Sequence, residues 1–351
     1  MTHFFNTVRI TNFKSLKDVT LNDCKRINVL IGKPNVGKSN ILEALGLFGI
    51  GCLHYSKNKK LTQLIRFENI PELFFDGEIK EIISVIVNNG ELKCRIKHIR
   101  TNSEPSYSGA DNQIDVCLSD NNNADNKKTS LLINNHFNVV QTASFARTQK
   151  SNIRQYKFIS DIASVKQSQN VPYLIPPFGN NLFDVLQSRK ELRADLASIF
   201  SEYQLKLLLD KGEYRLKLMK TLSDDDIITF PYSSIADTLQ RIIFYKAAIG
   251  SNQNSILLFE EPEAHCFPPY VKHITQQIID SETNQFFVAT HSPYVLTTCL
   301  ETENSRNDVA IFMVDFKDGQ TVINRLTDDE RDEVYEYGLD LFFNSELFTD
   351  D

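Results

Sequence analysis

The fold is decided by the run INVLIGKPNVGKSNILEAL at residues 27–45. Residues 27–31 are mostly apolar and β-branched, which is typical of a strand buried on both faces. Apolar residues then recur at helical spacing from residue 41 onward. Between these two segments lies a loop bounded by Gly32 and Gly37. The run therefore predicts a buried strand, a tight loop and a helix, in that order.

The loop matches the pattern G-x-x-x-x-G-K-[ST] at every fixed position. Backbone N–H groups wrap a triphosphate only where no side chain obstructs them, and the following helix points its N-terminus at the anion. We expect Lys38 to contact the β- and γ-phosphates and the Ser39 hydroxyl to bind Mg²⁺. The predicted cofactors are therefore ATP and Mg²⁺. The predicted nucleotide contacts are Gly32, Lys33, Pro34, Asn35, Val36, Gly37, Lys38, Ser39 and Asn40.

Two adjacent carboxylates follow a second buried apolar run. Glu260 and Glu261 come directly after ILLF at residues 256–259. Open α/β sheets bind ligands at the carboxyl ends of their strands. We therefore expect Glu260 to bind the metal and Glu261 to polarise the attacking water. A solvated acidic turn is the alternative when the pair is considered without the phosphate loop.

A histidine follows a third buried run. His291 comes after QFFVAT at residues 285–290 and before Ser292 and Pro293. An imidazole at this position can hydrogen-bond a γ-phosphate or the attacking water. We predict a catalytic role for His291, and the alternative is a loop histidine ahead of the next helix.

Composition narrows the function classes. The 351 residues carry a formal net charge of −7, which argues against a uniformly basic nucleic-acid-binding surface but does not describe local patches. None of the six cysteines forms a C-x-x-C pair, so we expect reduced thiols and no zinc site. No apolar run approaches the roughly 20 residues that cross a bilayer, and residues 1–12 lack a signal-peptide layout. We expect a cytoplasmic protein without a membrane partner.

The remaining patterns predict one α/β domain over residues 1–351. Alternating polarity on both sides of an Asn-Asn-Gly turn at residues 88–90 predicts a β-hairpin. The polar stretch after residue 100 predicts a mobile insertion or long hairpin tip outside the core. Helical spacing from Lys190 to Leu209 predicts an all-helical lobe. The expected segments are an N-terminal β lobe with the phosphate loop (1–99), a polar insertion (100–136), the rest of the hairpin with a helical lobe (137–230) and a C-terminal α/β lobe (231–351).

Four stretches in a fixed order identify a family resemblance. They are VRITNFKSLKDVTL (8–21), GKPNVGKSNILEAL (32–45), ILLFEEPEAH (256–265) and FFVATHSPYVL (286–296). With them the chain resembles the ABC-type P-loop ATPases of the SMC/RecF/OLD group, and in particular OLD-like AAA-family ATPases. The resemblance covers residues 1 to about 75 and about 170 to 345. It implies an ABC-type ATPase head in which an N-terminal antiparallel β lobe joins a mostly parallel core sheet flanked by helices, with a helical lobe inserted between Walker A and Walker B.

The resemblance also implies a homodimer that sandwiches ATP, in which a signature serine of one subunit caps the γ-phosphate bound to the other. The candidate is Ser234, within PYSSIADTLQR at residues 231–241, and Ser233 is the second choice. This segment lacks the glycine that usually follows the serine, and a plain helix N-cap is the alternative interpretation. A magnesium-sensing glutamine normally follows a strand of the first lobe, where Gln141 is the candidate. Glu260 stands where aspartate is commonest, although OLD-like members often carry Glu-Glu-Pro-Glu.

The leading hypothesis is an ATP-hydrolysing, dimerising ATPase that controls a partner effector in bacterial anti-phage defence. Many OLD proteins carry a C-terminal TOPRIM nuclease, and the few dozen residues after Val314 are too few for one. We therefore expect an effector such as a nuclease to be a separate chain.

Other hypotheses stay open. A RecF-like DNA-repair ATPase would bind DNA through a basic groove. The candidate residues for such a groove fit the alternative of a solvated sheet face better. Those candidates are Arg9, Lys14, Lys17, Lys25 and Arg26. A nucleotide-sensing scaffold with little turnover is consistent with the missing signature glycine. A membrane-transporter ATPase is disfavoured by the residue order and by the polar insertion.

Overall fold

The computed structural model describes residues 4–56, 58–100, 112–121, 127–140, 151–160, 171–223, 226–337 and 341–342. The strands are β1 (Val8–Phe13), β2 (Leu16–Leu21), β3 (Ile27–Ile31), β4 (Ile83–Val87), β5 (Leu92–Arg100), β6 (Asn112–Asp120), β7 (Lys127–Ile133), β8 (Ile153–Tyr156), β9 (Lys206–Asp210), β10 (Arg215–Ser223), β11 (Asp226–Pro231), β12 (Ile256–Glu260), β13 (Gln285–Ala289), β14 (Val309–Lys317) and β15 (Gln320–Arg325). The helices are α1 (Lys38–Gly46), α2 (Leu182–Ser188), α3 (Lys190–Ser201), α4 (Asp237–Ser251), α5 (Pro268–Asp280), α6 (Pro293–Leu300), α7 (Glu303–Asn307) and α8 (Asp328–Glu336). None of these helices combines the length and apolarity needed to cross a bilayer.

The N-terminal sheet is antiparallel throughout. Its strand order is β2-β1-β4-β5-β6-β7. Along β1, Val8 and Ile10 are fully buried whereas Arg9 between them is exposed, so one face of the strand packs on the core. The predicted hairpin is confirmed, because Val87 pairs with Leu92 across the turn.

The core sheet carries all three sequence motifs at one edge. Its order is β15-β14-β3-β13-β12-β8, with every neighbouring pair parallel except the antiparallel β14–β15 pair. Leu30 of β3 lies opposite Ala289 of β13, which in turn lies opposite Glu260 of β12. Because these strands are parallel neighbours, their carboxyl ends lie side by side, where open α/β sheets bind ligands.

The core sheet is buried on both faces. Leu30 packs into a cluster with the N-terminal sheet and α1, whereas Val29 and Ile31 pack into a second cluster with α2 to α6. Burial on both faces explains why residues 27–31 form a continuous apolar run rather than an alternating one. The predicted fold, an antiparallel β lobe on a mostly parallel sheet flanked by helices, is confirmed.

The polar insertion contributes to the core, and its placement outside the core was wrong. Strands β6 and β7 form a long hairpin, which agrees with the hairpin alternative. However, Ile114, Val116, Leu131 and Ile133 are fully buried. Apolar side chains at every second position are enough to bury one face of a strand, even where the average composition of the segment is polar.

The lobe between the phosphate loop and β12 is not all helical. Helix α3 ends at Ser201, and β9, β10 and β11 form a three-stranded antiparallel sheet. The predicted helical spacing through Leu209 is wrong, because Leu207 and Leu209 pair with β10 residues. A short apolar run is ambiguous between helix and strand, and here cross-strand pairing decides the outcome.

Candidate nucleotide-binding site

Two glycines in the phosphate loop are required by the backbone geometry. Gly32 has φ 151° and Gly37 has φ 110°, in a region that L side chains rarely adopt. A Cβ at Gly32 would lie 2.0 Å from the Val314 carbonyl oxygen, and one at Gly37 would lie 2.2 Å from Thr321 Oγ1. Any side chain at either position would therefore displace the loop.

Hydroxyl and amide groups from distant parts of the chain hold the loop in place. Thr321 Oγ1 donates to the Val36 carbonyl oxygen at 2.8 Å and lies 2.7 Å from Ser15 Oγ. Asn40 Nδ2 donates to the same Ser15 oxygen at 2.8 Å. Asn40 was predicted from the sequence, whereas Ser15 and Thr321 were not. Ser15 lies in the NFKS stretch of the family resemblance, whereas no local signal marks Thr321.

Lys38 begins α1 and is almost completely buried. Its Nζ donates to the Gly32 carbonyl oxygen at 2.8 Å and to the Lys33 carbonyl oxygen at 2.7 Å. Burial lowers the pKa of Lys38 to about 8, although Glu261 and Glu260 oppose that shift. Bringing an anion to this ammonium group would favour its charged form.

Ser39 and Glu260 are brought together across the sheet edge. Ser39 Oγ donates to Glu260 Oε1 at 2.5 Å. Burial raises the pKa of Glu260, but hydrogen bonds from Ser39 and Arg66 outweigh it and hold the pKa below its usual range. Glu260 is thus a carboxylate at neutral pH.

A charge cluster that sequence analysis missed supports Glu260. Arg66 donates to Glu260 and its Nε lies 3.4 Å from Glu43 Oε1. Glu43 is buried in α1 and is contacted by Lys14 at 2.5 Å and by Lys157 at 3.9 Å. A single arginine in the apolar stretch LTQLIRF at 61–67 was the only sequence signal. The cluster ties the helix after the phosphate loop to the acidic end of β12.

Glu261 and His291 face one another. His291 Nε2 lies 3.6 Å from Glu261 Oε1. Glu261 has φ 43°, and its N–H donates to the Ala289 carbonyl oxygen at 2.8 Å. Burial and the nearby Lys38 lower the pKa of His291, with Glu261 opposing. His291 is therefore neutral near pH 7 and can accept a proton or a hydrogen bond.

A cleft of about 530 Å³ adjoins the two glutamates. It is lined by Thr62, Gln63, Arg66, Lys157, Phe158, Ile159, Phe178, Arg241, Tyr245, Glu260, Glu261, Ala264 and His265. Arg241 stacks over Phe158 at 4.5 Å and donates to Asp237 at 2.8 Å. Cationic and anionic side chains therefore meet in one cleft beside the carboxyl end of β12.

The oxygen donors present fit a magnesium ion. Mg²⁺ prefers hydroxyl, carboxylate and water oxygens and is commonly completed by substrate phosphates. Ser39 and the ionised Glu260 supply two such oxygens within 2.5 Å of each other. Within the described ranges, no group of three or more His, Cys, Asp or Glu could form an all-protein metal site.

Ser234 is exposed and is not among the residues that line the cleft beside Glu260 and Glu261. This serine lies in a short turn, Tyr232–Ser234, and α4 follows from Asp237. In the part of the chain that the structure describes, no hydrogen bond joins Ser234 to Lys38 or Ser39. Gln141 lies outside the described residues.

The proposed basic groove is largely neutralised. Arg9 pairs with Asp18 at 2.6 Å, Lys25 with Asp328 at 2.9 Å and Arg26 with Asp308 at 2.9 Å. Lys14 pairs with Glu43, and Lys17 lies over the Phe75 ring at 5.8 Å. These contacts favour the interpretation of a sheet face over that of a DNA groove.

Comparison with known proteins places these features in context. A family model described as "AAA domain, putative AbiEii toxin, Type IV TA system" matches residues 90–297, more than half of the chain. The chain is 23% identical to an ATP/GTP phosphatase of Helicobacter pylori over 94% of its own length and 97% of that protein. It is 24% identical to the DNA replication and repair protein RecF of Staphylococcus epidermidis over 62% of its length, but it spans only 55% of that relative.

Solved structures show the same fold. An Smc head bound to the C-winged helix domain of ScpA superposes with a TM-score of 0.52 at 15% identity, covering 94% of this chain and 99% of that one. An Smc head with an extended coiled coil, bound to a ScpA C-terminal domain derived from Pyrococcus furiosus, gives 0.52 at 14% identity, over 95% of this chain and 99% of that one.

Proposed function

We propose that this chain, which belongs to the AAA-domain family whose model matches residues 90–297, binds Mg·ATP and hydrolyses it to ADP and phosphate as an ABC-type P-loop ATPase of the SMC/RecF group. The observation that carries the proposal is the 2.5 Å contact between Ser39 and Glu260, which unites the phosphate loop with the acidic strand end. A loop that requires glycine and a buried lysine support it on the phosphate side.

We assign one role to each group. The loop N–H groups and Lys38 hold the β- and γ-phosphates. Ser39 and Glu260 would hold Mg²⁺, which would supply positive charge to neutralise the phosphate oxygens. Glu261 orients the attacking water, and the neutral His291 accepts a hydrogen bond from that water or contacts the γ-phosphate. The remaining loop residues, Lys33 to Val36 with Asn40, shape the phosphate cradle.

The test is steady-state ATP hydrolysis together with equilibrium binding of a fluorescent ATP analogue. Glu261→Gln keeps the size of the side chain but removes the charge that polarises water. We expect kcat to fall about 100-fold or more while Mg·ATP still binds. A wild-type protein that binds Mg·ATP without turnover would instead identify a nucleotide sensor, and one that ignores Mg·ATP would end the proposal.

We further propose an ATP-dependent homodimer in which Ser234 of one subunit caps the nucleotide on the other. Two exposed aromatic side chains support it: Phe267 directly precedes α5 and Tyr294 lies in the first turn of α6, just beyond the loops of Glu261 and His291. Large exposed aromatics are enriched at protein interfaces. Size-exclusion chromatography with light scattering tests this on Glu261→Gln, which should double in mass with ATP and not with ADP.

The family resemblance supports a further proposal, that the ATP cycle controls a separate effector protein in anti-phage defence in the cytoplasm. Its test is whether the product of a neighbouring gene co-elutes with Glu261→Gln in ATP and is released by the wild-type protein on hydrolysis. Co-elution that ignores the nucleotide state would separate effector binding from the ATP cycle. DNA-stimulated turnover would favour a RecF-like role, which the neutralised basic residues do not support.

A further inference from the structure

Glu263 is a buried carboxyl group between two loops of the site. It lies two residues beyond Glu261 and is 9% exposed. Its Oε1 accepts a hydrogen bond from Thr290 Oγ1 and a second from the His291 N–H at 3.2 Å. The loop after β12 is thereby fastened to the loop after β13, which carries His291.

Local hydrogen bonds make each loop a tight turn on its own. The Ala264 N–H donates to the Glu261 carbonyl oxygen at 3.0 Å. The Ser292 N–H donates to Thr290 Oγ1 at 3.0 Å. The side chain of Glu263 is therefore a cross-link between two local structures, and the 3.6 Å gap between Glu261 and His291 lies beside it.

The second oxygen of Glu263 indicates that burial of this carboxyl group destabilises the fold. In the described part of the chain, Oε2 is buried and accepts no hydrogen bond. Burial raises the pKa of Glu263, and the neighbouring Glu261 charge acts in the same direction. A buried, half-satisfied carboxyl group destabilises a fold, and such groups persist where function requires them.

We propose that Glu263 is a positioning residue for hydrolysis, which sets the distance between His291 and Glu261 and so orients the attacking water. The proposal rests on the proposed ATPase function. Among the described residues, the side chain of Glu263 hydrogen-bonds with Thr290 and His291 and not with the phosphate loop, so loss of this side chain should lower kcat and leave nucleotide affinity unchanged.

Three variants separate positioning from general structural support. Glu263→Ala removes both hydrogen bonds and should lower kcat about 10- to 100-fold, since a misplacement of about 1 Å is worth up to 100-fold. Glu263→Gln keeps an oxygen that accepts both bonds and should retain kcat within about threefold. Thr290→Val keeps the volume and removes one donor, so we expect an intermediate loss of about 3- to 10-fold. The Kd for Mg·ATP should stay within about twofold in all three.

A readout independent of turnover distinguishes failure of this inference from failure of the proposed function. The ring pKa of His291, measured by NMR with ¹³C-labelled histidine and assigned with His291→Asn, should lie below the ordinary value in the wild-type protein. Lys38 and Glu261 are the charged groups that act on this ring. In Glu263→Ala the pKa should move toward the ordinary value, while Glu263→Gln preserves the wild-type titration. This holds whether or not the wild-type protein hydrolyses ATP.

Two outcomes would overturn the inference. The first is a His291 titration in Glu263→Ala that matches the wild-type curve. The second is Glu263→Gln and Glu263→Ala losing kcat equally while both melt at the wild-type temperature.

Discussion

The carboxyl edge of the core sheet and the turn that carries Ser234 are built in opposite ways. At the sheet edge, Lys38 is buried and Ser39 contacts Glu260 directly, so the geometry is set within one chain. The turn Tyr232–Ser234 exposes its serine to solvent. A phosphate and metal site can be preorganised by a single subunit, whereas an exposed serine acquires a ligand geometry only against another surface. We infer that a single subunit is sufficient to bind the nucleotide and that hydrolysis requires the dimer.

The largest expected effect is on the monomer side of this comparison. Lys38→Ala removes a charged donor from the phosphate site, and we expect Mg·ATP to bind about 100-fold more weakly. Isothermal titration calorimetry measures this on the isolated protein. Lys33→Ala is the matched control, because Lys33 takes part in the proposed phosphate cradle through its backbone while its side chain is exposed, so this variant should keep its affinity within about threefold. Equal losses in the two variants would contradict the assigned role.

The next effect tests the dimer side. Ser234→Ala should weaken ATP-dependent dimerisation of the Glu261→Gln protein about 10-fold or more, because a hydrogen bond to a charged group contributes about 1.5–3 kcal/mol. The monomer should bind Mg·ATP as before. Analytical ultracentrifugation measures both states, with Ser233→Ala as the neighbouring control. If Ser233→Ala disrupts the dimer and Ser234→Ala does not, the signature serine is Ser233.

A smaller effect is expected at the charge cluster that supports Glu260. Arg66→Ala removes the guanidinium that, with Ser39, holds the pKa of Glu260 low. Partners of metal-binding carboxylates are typically worth about 10- to 100-fold in metal affinity, and the exposure of Arg66 places this one near the lower limit. The Mg²⁺ concentration for half-maximal hydrolysis should rise about tenfold. Arg66→Lys keeps a charge and should recover part of the loss, whereas an unchanged Mg²⁺ requirement in Arg66→Ala would show that the cluster is only structural.

The last effect is on the free energy of unfolding rather than on binding or turnover, and concerns its dependence on pH. The pKa of Lys38 falls to about 8 on folding, from an ordinary value of 10.5. Between these two values the unfolded chain binds a proton that the folded chain has released, so the stability of the nucleotide-free protein should rise with pH across this window. Lys38→Met removes the cost of the buried charge and should raise the free energy of unfolding at pH 7 by about 1–3 kcal/mol. Thermal melts at pH 7 and pH 10 check this, with Lys33→Met as control. A free energy of unfolding that is lower for Lys38→Met than for the wild-type protein at pH 7 would contradict this prediction.

The sequence predicted the parts of the molecule that short-range chemistry determines. The strand, loop and helix at residues 27–45 follow from apolar patterning and from the glycine pattern, and the Asn-Asn-Gly hairpin from turn preferences. The positions of Glu260 and His291 at or just after the carboxyl ends of buried strands were also predicted, and these strands, β12 and β13, are parallel neighbours in the structure.

What the sequence did not predict depends on contacts between distant residues. Thr321 lies 285 residues from the loop carbonyl that it contacts, and Arg66 lies 194 residues from Glu260. The sequence of β9 fits either a helix or a strand, and only its pairing with β10 decides between them. The cross-link made by Glu263 was also not predicted, because nothing in EEPEAH distinguishes this buried glutamate from the other glutamates.

The most direct measurement is a double-mutant cycle on the Mg²⁺ dependence of ATP affinity, with Ser39→Ala, Glu260→Gln and the double variant. If both side chains bind one metal ion on the same triphosphate, each single variant should lose most of the increase in ATP affinity that Mg²⁺ produces. The double variant should then lose little more than the worse single variant, because both changes remove the same interaction. Additive losses, or an ATP affinity in the wild-type protein that is the same with Mg²⁺ and with EDTA, would contradict a shared magnesium site.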